Sequence, residues 1–137
     1  MYRRFLWYTF IMKKLLIVDD SLSWRNHHKT VIEKLFGDNF IIDTADYATS
    51  ANDLLYENIK EPYDVIITDL QMESDYSPLY AGEWLIEQIQ KLSAYKNTQI
   101  IIISATSAIS MIAEKYNVEY IPKYNCRDLN SYFIINR

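Results

Sequence analysis

Five side chains in this 137-residue sequence could do chemistry together: Asp19, Asp20, Asp69, Ser104 and Lys123. Each stands at or just beyond the end of an apolar run of strand length. Three carboxylates gathered in one place repel one another and call for a cation. Hard divalent ions suit such oxygen ligands, and Mg²⁺ commonly takes one or two carboxylates plus waters and phosphate oxygens. A carboxylate can also act as a nucleophile and form an aspartyl phosphate. Phosphoryl transfer asks mainly for alignment and for neutralisation of charge on the phosphoryl oxygens. A metal, an ammonium, a hydroxyl and backbone N–H groups can supply both. Taken one at a time the residues say little: an acidic pair after a strand is common turn chemistry, and a serine suits a helix N-cap region. The joint pattern carries the weight.

The elements that would position these groups alternate along the chain. Apolar runs of strand length occur at Lys14–Val18, Phe40–Ala45, Asp64–Thr68, Gln99–Ile103 and Val118–Ile121. They are rich in Ile and Val and largely unalternated, as strands covered on both faces should be. Helix-length segments lie between and after them: Ser21–Phe36, Thr49–Lys60, Glu83–Leu92, Ser107–Tyr116 and a short Asp128–Asn136. Gly37 supplies a C-terminal stop for the first. Five strands alternating with five helices predict an α/β fold, a doubly wound parallel sheet with helices on both faces. In such sheets ligands bind outside the carboxyl ends of the strands, which is where the five chemical residues stand.

Bulk composition narrows the function. The length suits one domain with a real core. A net charge of −4 argues against direct nucleic-acid binding, which needs clustered Lys and Arg. The lone cysteine, Cys126, has no disulfide partner and fits a reducing compartment, so a cytoplasmic location is expected. The start, "MYRRFLWYTFIMKK", carries too short an apolar run to span a bilayer and shows no small-residue cleavage site. No membrane association is expected. Residues 1–11 read as an N-terminal extension, floppy or upstream of a start at Met12, and residues 12–137 as the domain. His27 and His28 have no metal-ligand spacing with Cys126 and read as surface residues. Trp24 reads as packing within the domain.

The segments "LLIVDDS", "DVIITDLQM", "IIIISAT" and "YIPK", in that order and each at a strand end, resemble the four signature segments of bacterial two-component response-regulator receiver domains. The resemblance runs from about Lys13 to the C-terminus. It implies a flavodoxin-like strand order of 2-1-3-4-5. It also implies roles: Asp69 as phosphoacceptor, Asp20 as a direct Mg²⁺ ligand with Asp69, Asp19 contacting the ion through water, and Gln71 adding its main-chain carbonyl. Ser104 matches the hydroxyl that follows the phosphoryl group, Lys123 the lysine that pairs with it, and Tyr120 the aromatic switch. The implied donor is a phosphohistidine on a histidine kinase or phosphotransfer protein. The implied output is a changed face made of the fourth helix, fifth strand and fifth helix, docking a downstream protein target as a monomer or a phosphorylation-dependent dimer. Catalysis in the usual sense is not expected beyond self-dephosphorylation.

Two departures stand out. The family has proline four residues after the acceptor and glycine soon afterwards, whereas here Glu73 holds the fourth place and Gly82 comes thirteen positions on. An insertion of about five residues in "ESDYSPLYA" accounts for this, with Pro78 in the place of the lost turn restraint. Proline usually follows the lysine, but this chain has Tyr124 there, so a trans Lys123–Tyr124 bond is expected. These departures motivate an alternative, a phosphorylation-independent interaction module on the same fold. A haloacid-dehalogenase-type phosphatase would need a second Asp where Gln71 stands. A nucleotide-binding Rossmann domain would need a glycine-rich loop after the first strand.

Overall fold

The computed structural model describes residues 12–72 and 80–136. Residues 1–11, expected to be an extension, residues 73–79 of the segment expected to carry an insertion, and Arg137 lie outside the described residues. Nine principal elements alternate: β1 (Lys13–Val18), α1 (Leu22–Phe36), β2 (Phe40–Ala45), α2 (Ala48–Glu57), β3 (Val65–Thr68), α3 (Ala81–Lys91), β4 (Gln99–Ser104), α4 (Ile109–Tyr116) and β5 (Glu119–Pro122). The strands form one parallel sheet in the order β2-β1-β3-β4-β5, as the sequence implied.

The unalternated apolar runs are explained by burial on both sides. Successive strand side chains point to opposite faces. Leu16, Val18, Ile66, Ile100 and Ile102 therefore face one core, against Leu55 of α2, Leu85, Ile86 and Ile89 of α3, and Ile109 and Ile112 of α4. Leu15, Ile17, Val65, Ile67, Ile101 and Ile103 face the other, against Val31 and Ile32 of α1. Leu15, Leu16, Ile17, Ile66, Ile101, Ile102 and Ile103 are fully buried. Pro122 is accommodated because β5 is an edge strand, where a missing ladder donor costs least.

Helix ends follow local chemistry. Ser21 caps α1, its hydroxyl accepting from the Trp24 N–H at 3.3 Å. Gly37 ends the same helix at φ 59°, a left-handed conformation that glycine adopts without penalty.

The last predicted helix is not α-helical. Lys123–Arg127 and Leu129–Ile134 form two 3₁₀ turns instead. Asp128 separates them in an extended conformation, and its carboxylate accepts from the Asn130 N–H at 3.0 Å. That side-chain bond offers the backbone an alternative to the helix ladder. The tight i to i+3 bonds of Ser131 to Asp128 and Ile135 to Tyr132 take its place.

These turns fill the second core with Cys126, Tyr132 and Ile135. They also correct the reading of the two histidines. His28 is 1% exposed, with Nδ1 in a 2.7 Å hydrogen bond to the Tyr132 hydroxyl. His27 is half-buried, and its Nε2 lies 3.1 Å from the Cys126 carbonyl oxygen. The physical reason is periodicity: His28 stands three and four residues before the buried Val31 and Ile32, on the inward stripe of α1. Burial above all, aided by His27 and the charge of Lys123, pushes the His28 pKa down to about 3.

His28 therefore stays neutral in the fold, whereas the unfolded chain takes up its proton below pH about 6.5. Because the unfolded state binds more protons between these values, His28 lowers stability as pH falls from about 6.5, by at most about 1.4 kcal/mol per pH unit. His28→Gln keeps a hydrogen-bonding group but removes the titration. Urea unfolding at pH 7.5 and pH 5 should show a stability loss smaller by about 2 kcal/mol in the variant than in the wild type. Equal losses in the two proteins would contradict this account.

Candidate functional site

Parallel register sets the site. Val18 pairs with Thr68, so the residues that follow them, Asp19 and Asp69, emerge side by side at the carboxyl edge. Ser104 pairs with Pro122, which places Ser104 and Lys123 on the two strands beyond. The Asp69 N–H bonds the Val18 carbonyl at 2.9 Å and the Asp19 N–H bonds the Ala45 carbonyl at 3.1 Å, so both acids leave the sheet on fixed backbone.

Asp69 is 6% exposed and its two oxygens have different partners. Oδ1 accepts from the Leu70 N–H at 2.6 Å and from the Gln71 N–H at 3.4 Å. Oδ2 accepts from the Lys123 ammonium at 2.7 Å. The same ammonium lies 3.0 Å from Asp19 Oδ2 and 4.8 Å from the centroid of the Trp24 ring. Lys123 thus reaches Asp69 from the end of β5 although no proline follows it. No cis peptide occurs among the described residues, so the Lys123–Tyr124 bond is trans, as expected.

Asp19 is 1% exposed. Its Oδ1 accepts from the Ser21 N–H at 2.9 Å, and its carbonyl oxygen accepts from Arg25 Nη1 at 2.7 Å. Oδ2 is buried, and its contact with Lys123 is an ion pair without hydrogen-bond geometry, so the atom receives no hydrogen bond. Burial raises the Asp19 pKa; the Ser21 N–H opposes this, the charge of Asp69 adds to it, and Lys123 opposes it, with a net rise. Burial pulls the Lys123 pKa down, but the hydrogen bond and charge of Asp69, then the charge of Asp19, outweigh it and leave it raised. The two directions describe one cluster from both sides: the ammonium is firmly held, while Asp19 still feels more burial and repulsion than Lys123 relieves.

Carboxylate oxygens of Asp19, Asp20 and Asp69 lie within 4.8 Å of one another. At that distance each like-charged pair repels by about 3–4 kcal/mol at an effective dielectric near ~20. An all-oxygen set with a buried oxygen lacking a hydrogen bond fits a small hard cation. Ligands across an Mg²⁺ ion stand about 4.2 Å apart, close to the observed spread. Asp19, Asp20 and Asp69 could therefore hold Mg²⁺. Gln71 lies two residues along the same loop, exposed, with its N–H on Asp69.

Ser104 is 1% exposed and its Oγ accepts from the Thr106 N–H at 3.4 Å. Tyr120, on β5, is 41% exposed and lines a surface cleft with Ser104, Thr106, Ile109, Pro122 and Tyr124. The structure thus gathers Asp19, Asp20, Asp69 and Lys123 into one cluster, with Ser104 at the end of the neighbouring strand and Tyr120 facing outward.

Sequence reasoning missed three contributors. Trp24 was assigned to packing, yet its ring lies against the Lys123 ammonium. Arg25 fixes the Asp19 backbone. Gly82, noted only for its late position, donates its N–H to the Leu70 carbonyl at 3.0 Å. A Cβ at Gly82 would lie 2.1 Å from the Asp69 main-chain oxygen. The glycine is what lets α3 start directly against the Asp69 end of β3. Trp24, three residues after the Ser21 cap, could have been placed at the rim by counting one helical turn from the acidic pair.

The sequence profile of the response regulator receiver domain matches residues 15–123, most of the chain. This chain belongs to that family. Solved receivers share its fold. The chemotaxis response regulator CheY4 of Vibrio cholerae superposes with a TM-score of 0.67 at 24% identity, covering 89% of this chain and 96% of that one. The isolated receiver domain of RcsB from Salmonella enterica serovar Typhimurium, solved with the phosphomimetic BeF₃⁻, gives 0.66 at 20% identity, covering 90% and 86%. The receiver domain of the histidine kinase CKI1 from Arabidopsis thaliana, a mutant form, gives 0.67 at 20%, covering 86% of each. A search of curated proteins gave no match.

In this receiver the Gly82 contact is steric and falls on the Asp69 backbone. Gly82→Ala should cost about 1–3 kcal/mol by overpacking, read as a lower urea midpoint. Stability equal to wild type would mean that α3 can move away from Asp69 freely.

Proposed function

We propose that this receiver takes a phosphoryl group on Asp69 from a phosphohistidine donor, a histidine kinase or a histidine phosphotransfer protein. The observation that carries the reading is the buried Asp69 carboxylate held at 2.7 Å by Lys123, within a three-carboxylate set. A carboxylate oxygen of Asp69 attacks phosphorus, forming an O–P bond. The P–N bond of the donor breaks and its electron pair leaves on the imidazole nitrogen. Lys123 pairs with charge on the phosphoryl oxygens, a task its raised pKa suits because it stays protonated at neutral pH. The Leu70 and Gln71 N–H groups orient the attacking carboxylate.

Asp20 and Asp69, with the Gln71 main-chain carbonyl and with Asp19 through water, would hold Mg²⁺. When bound, the ion would neutralise charge on the transferring group.

Ser104, buried at the end of β4, would then donate its hydroxyl to a phosphoryl oxygen. That movement opens space into which Tyr120 would turn from its outward position. The face altered comprises α4, β5 and the 3₁₀ turns that stand where the fifth helix was expected, and it carries exposed Met111 and Tyr124. A downstream protein is the proposed reader of that face. Among the described residues no helix is long and apolar enough to cross a membrane. As a unit, residues 12–137 are proposed to be the receiver and 1–11 an extension to it.

Incubation with acetyl phosphate and Mg²⁺, followed by intact mass, should give one phosphoryl adduct on wild type. The adduct should be absent from Asp69→Asn and strongly reduced when Mg²⁺ is chelated. An equal adduct on Asp69→Asn would overturn the assignment. Partner binding indifferent both to beryllofluoride and to Asp69→Asn would point instead to a phosphorylation-independent module.

A further inference from the structure

Lys123 begins a 3₁₀ turn and must hold its ammonium between two acids without a following proline to set the turn. The structure shows another restraint on it, and that restraint comes from α1. Trp24 presents its ring to the ammonium at 4.8 Å on one side, while Asp69 and Asp19 take the other. Only 12% of the lysine side chain is exposed.

The indole is itself fixed. The Trp24 main-chain N–H donates to the Ser21 hydroxyl, which fixes the backbone that carries the ring. The His28 ring lies 5.4 Å away at a 31° tilt, and the His27 ring meets it edge-on at 5.6 Å. The same two histidines hold the chain that carries the lysine, His27 at the Cys126 carbonyl and His28 at Tyr132 in the next turn. One helix therefore meets the Lys123 ammonium and, through Cys126 and Tyr132, the turns that follow it. An ammonium over an aromatic face is attracted by the ring quadrupole, most strongly by tryptophan and more so where water is partly excluded.

From this we infer that Trp24 is a positioning residue: it holds the Lys123 ammonium against Asp69, where an incoming phosphoryl group would meet it. The inference rests on Asp69 being the phosphoacceptor. Trp24 does not itself touch the reacting atoms; it limits the other rotamers a long lysine would sample, and so raises the fraction of molecules with the ammonium in place.

Three proteins separate this role from simple space-filling: wild type, Trp24→Phe, which keeps an aromatic face, and Trp24→Leu, which keeps an apolar side chain without one. The rate constant for phosphorylation by acetyl phosphate with saturating Mg²⁺ is followed by intact mass, with thermal midpoints measured alongside. Trp24→Leu should react roughly 3–10-fold more slowly, and Trp24→Phe should recover most of the loss. Equal rates in wild type and Trp24→Leu, or equally slow Phe and Leu variants, would overturn the role while leaving Asp69 as acceptor. A wild type that takes no phosphoryl group overturns both readings together. NMR of the unmodified wild type gives a check that needs no variant to fold. The Lys123 ε-methylene protons should be shifted upfield by the indole ring current, and ordinary lysine shifts there would overturn the contact.

Discussion

A partly buried ammonium and two buried carboxylates share a small volume at the carboxyl edge of the sheet, and most of the surrounding structure serves to keep them there. Lys123 lies between Asp69 and Asp19, which like-charge repulsion would otherwise push apart. Each of the three leaves a different strand, and the parallel register of β1, β3, β4 and β5 sets their separation. Backbone N–H groups from Ser21, Leu70 and Gln71 take up carboxylate oxygens that burial has removed from water. Strip away the sheet and these charges would have no reason to meet.

The two faces of the sheet contribute differently. On one, α2, α3 and α4 supply mostly aliphatic packing, and Gly82 lets α3 press on the Asp69–Leu70 backbone. On the other, α1 and the C-terminal 3₁₀ turns build a layer of rings: Trp24, His27, His28 and Tyr132. This aromatic layer lies under the lysine turn, and it includes polar atoms that are satisfied internally, with the Tyr132 hydroxyl on His28 and the His27 ring on the Cys126 carbonyl. A buried polar pair of this kind costs stability if broken on one side only, so it fixes which way α1 and the last turns dock.

Much of this was legible in the residues and some of it was not. The strands could be read because burial on both sides leaves unbroken Ile and Val runs, as in "IIIIS" of β4. The acidic pair, Asp69, Ser104 and Lys123 could be read because the fold places every strand end on one rim. His28 was misread because histidine is ordinarily a surface residue, although its spacing from Val31 and Ile32 placed it on the inward stripe. The final helix failed because Leu129 and Phe133 gave apolar spacing while Asp128 and the neighbouring asparagines favoured local side-chain bonds. The reach of Lys123 could not be read at all, since it depends on Trp24 and on a turn whose shape comes from tertiary packing.

The hydrogen bond from the Gly82 N–H to the Leu70 carbonyl has a further consequence for how this chain tolerates length. It closes a ring of chain immediately beyond Asp69, with both ends of the ring pinned to the framework. Closing a longer ring costs little more than a short one, about 0.6 kcal/mol for each doubling of its length. Leu70 and Gly82 are joined by a bond of their own, so the start of α3 is held against the end of β3 whatever number of residues connects them.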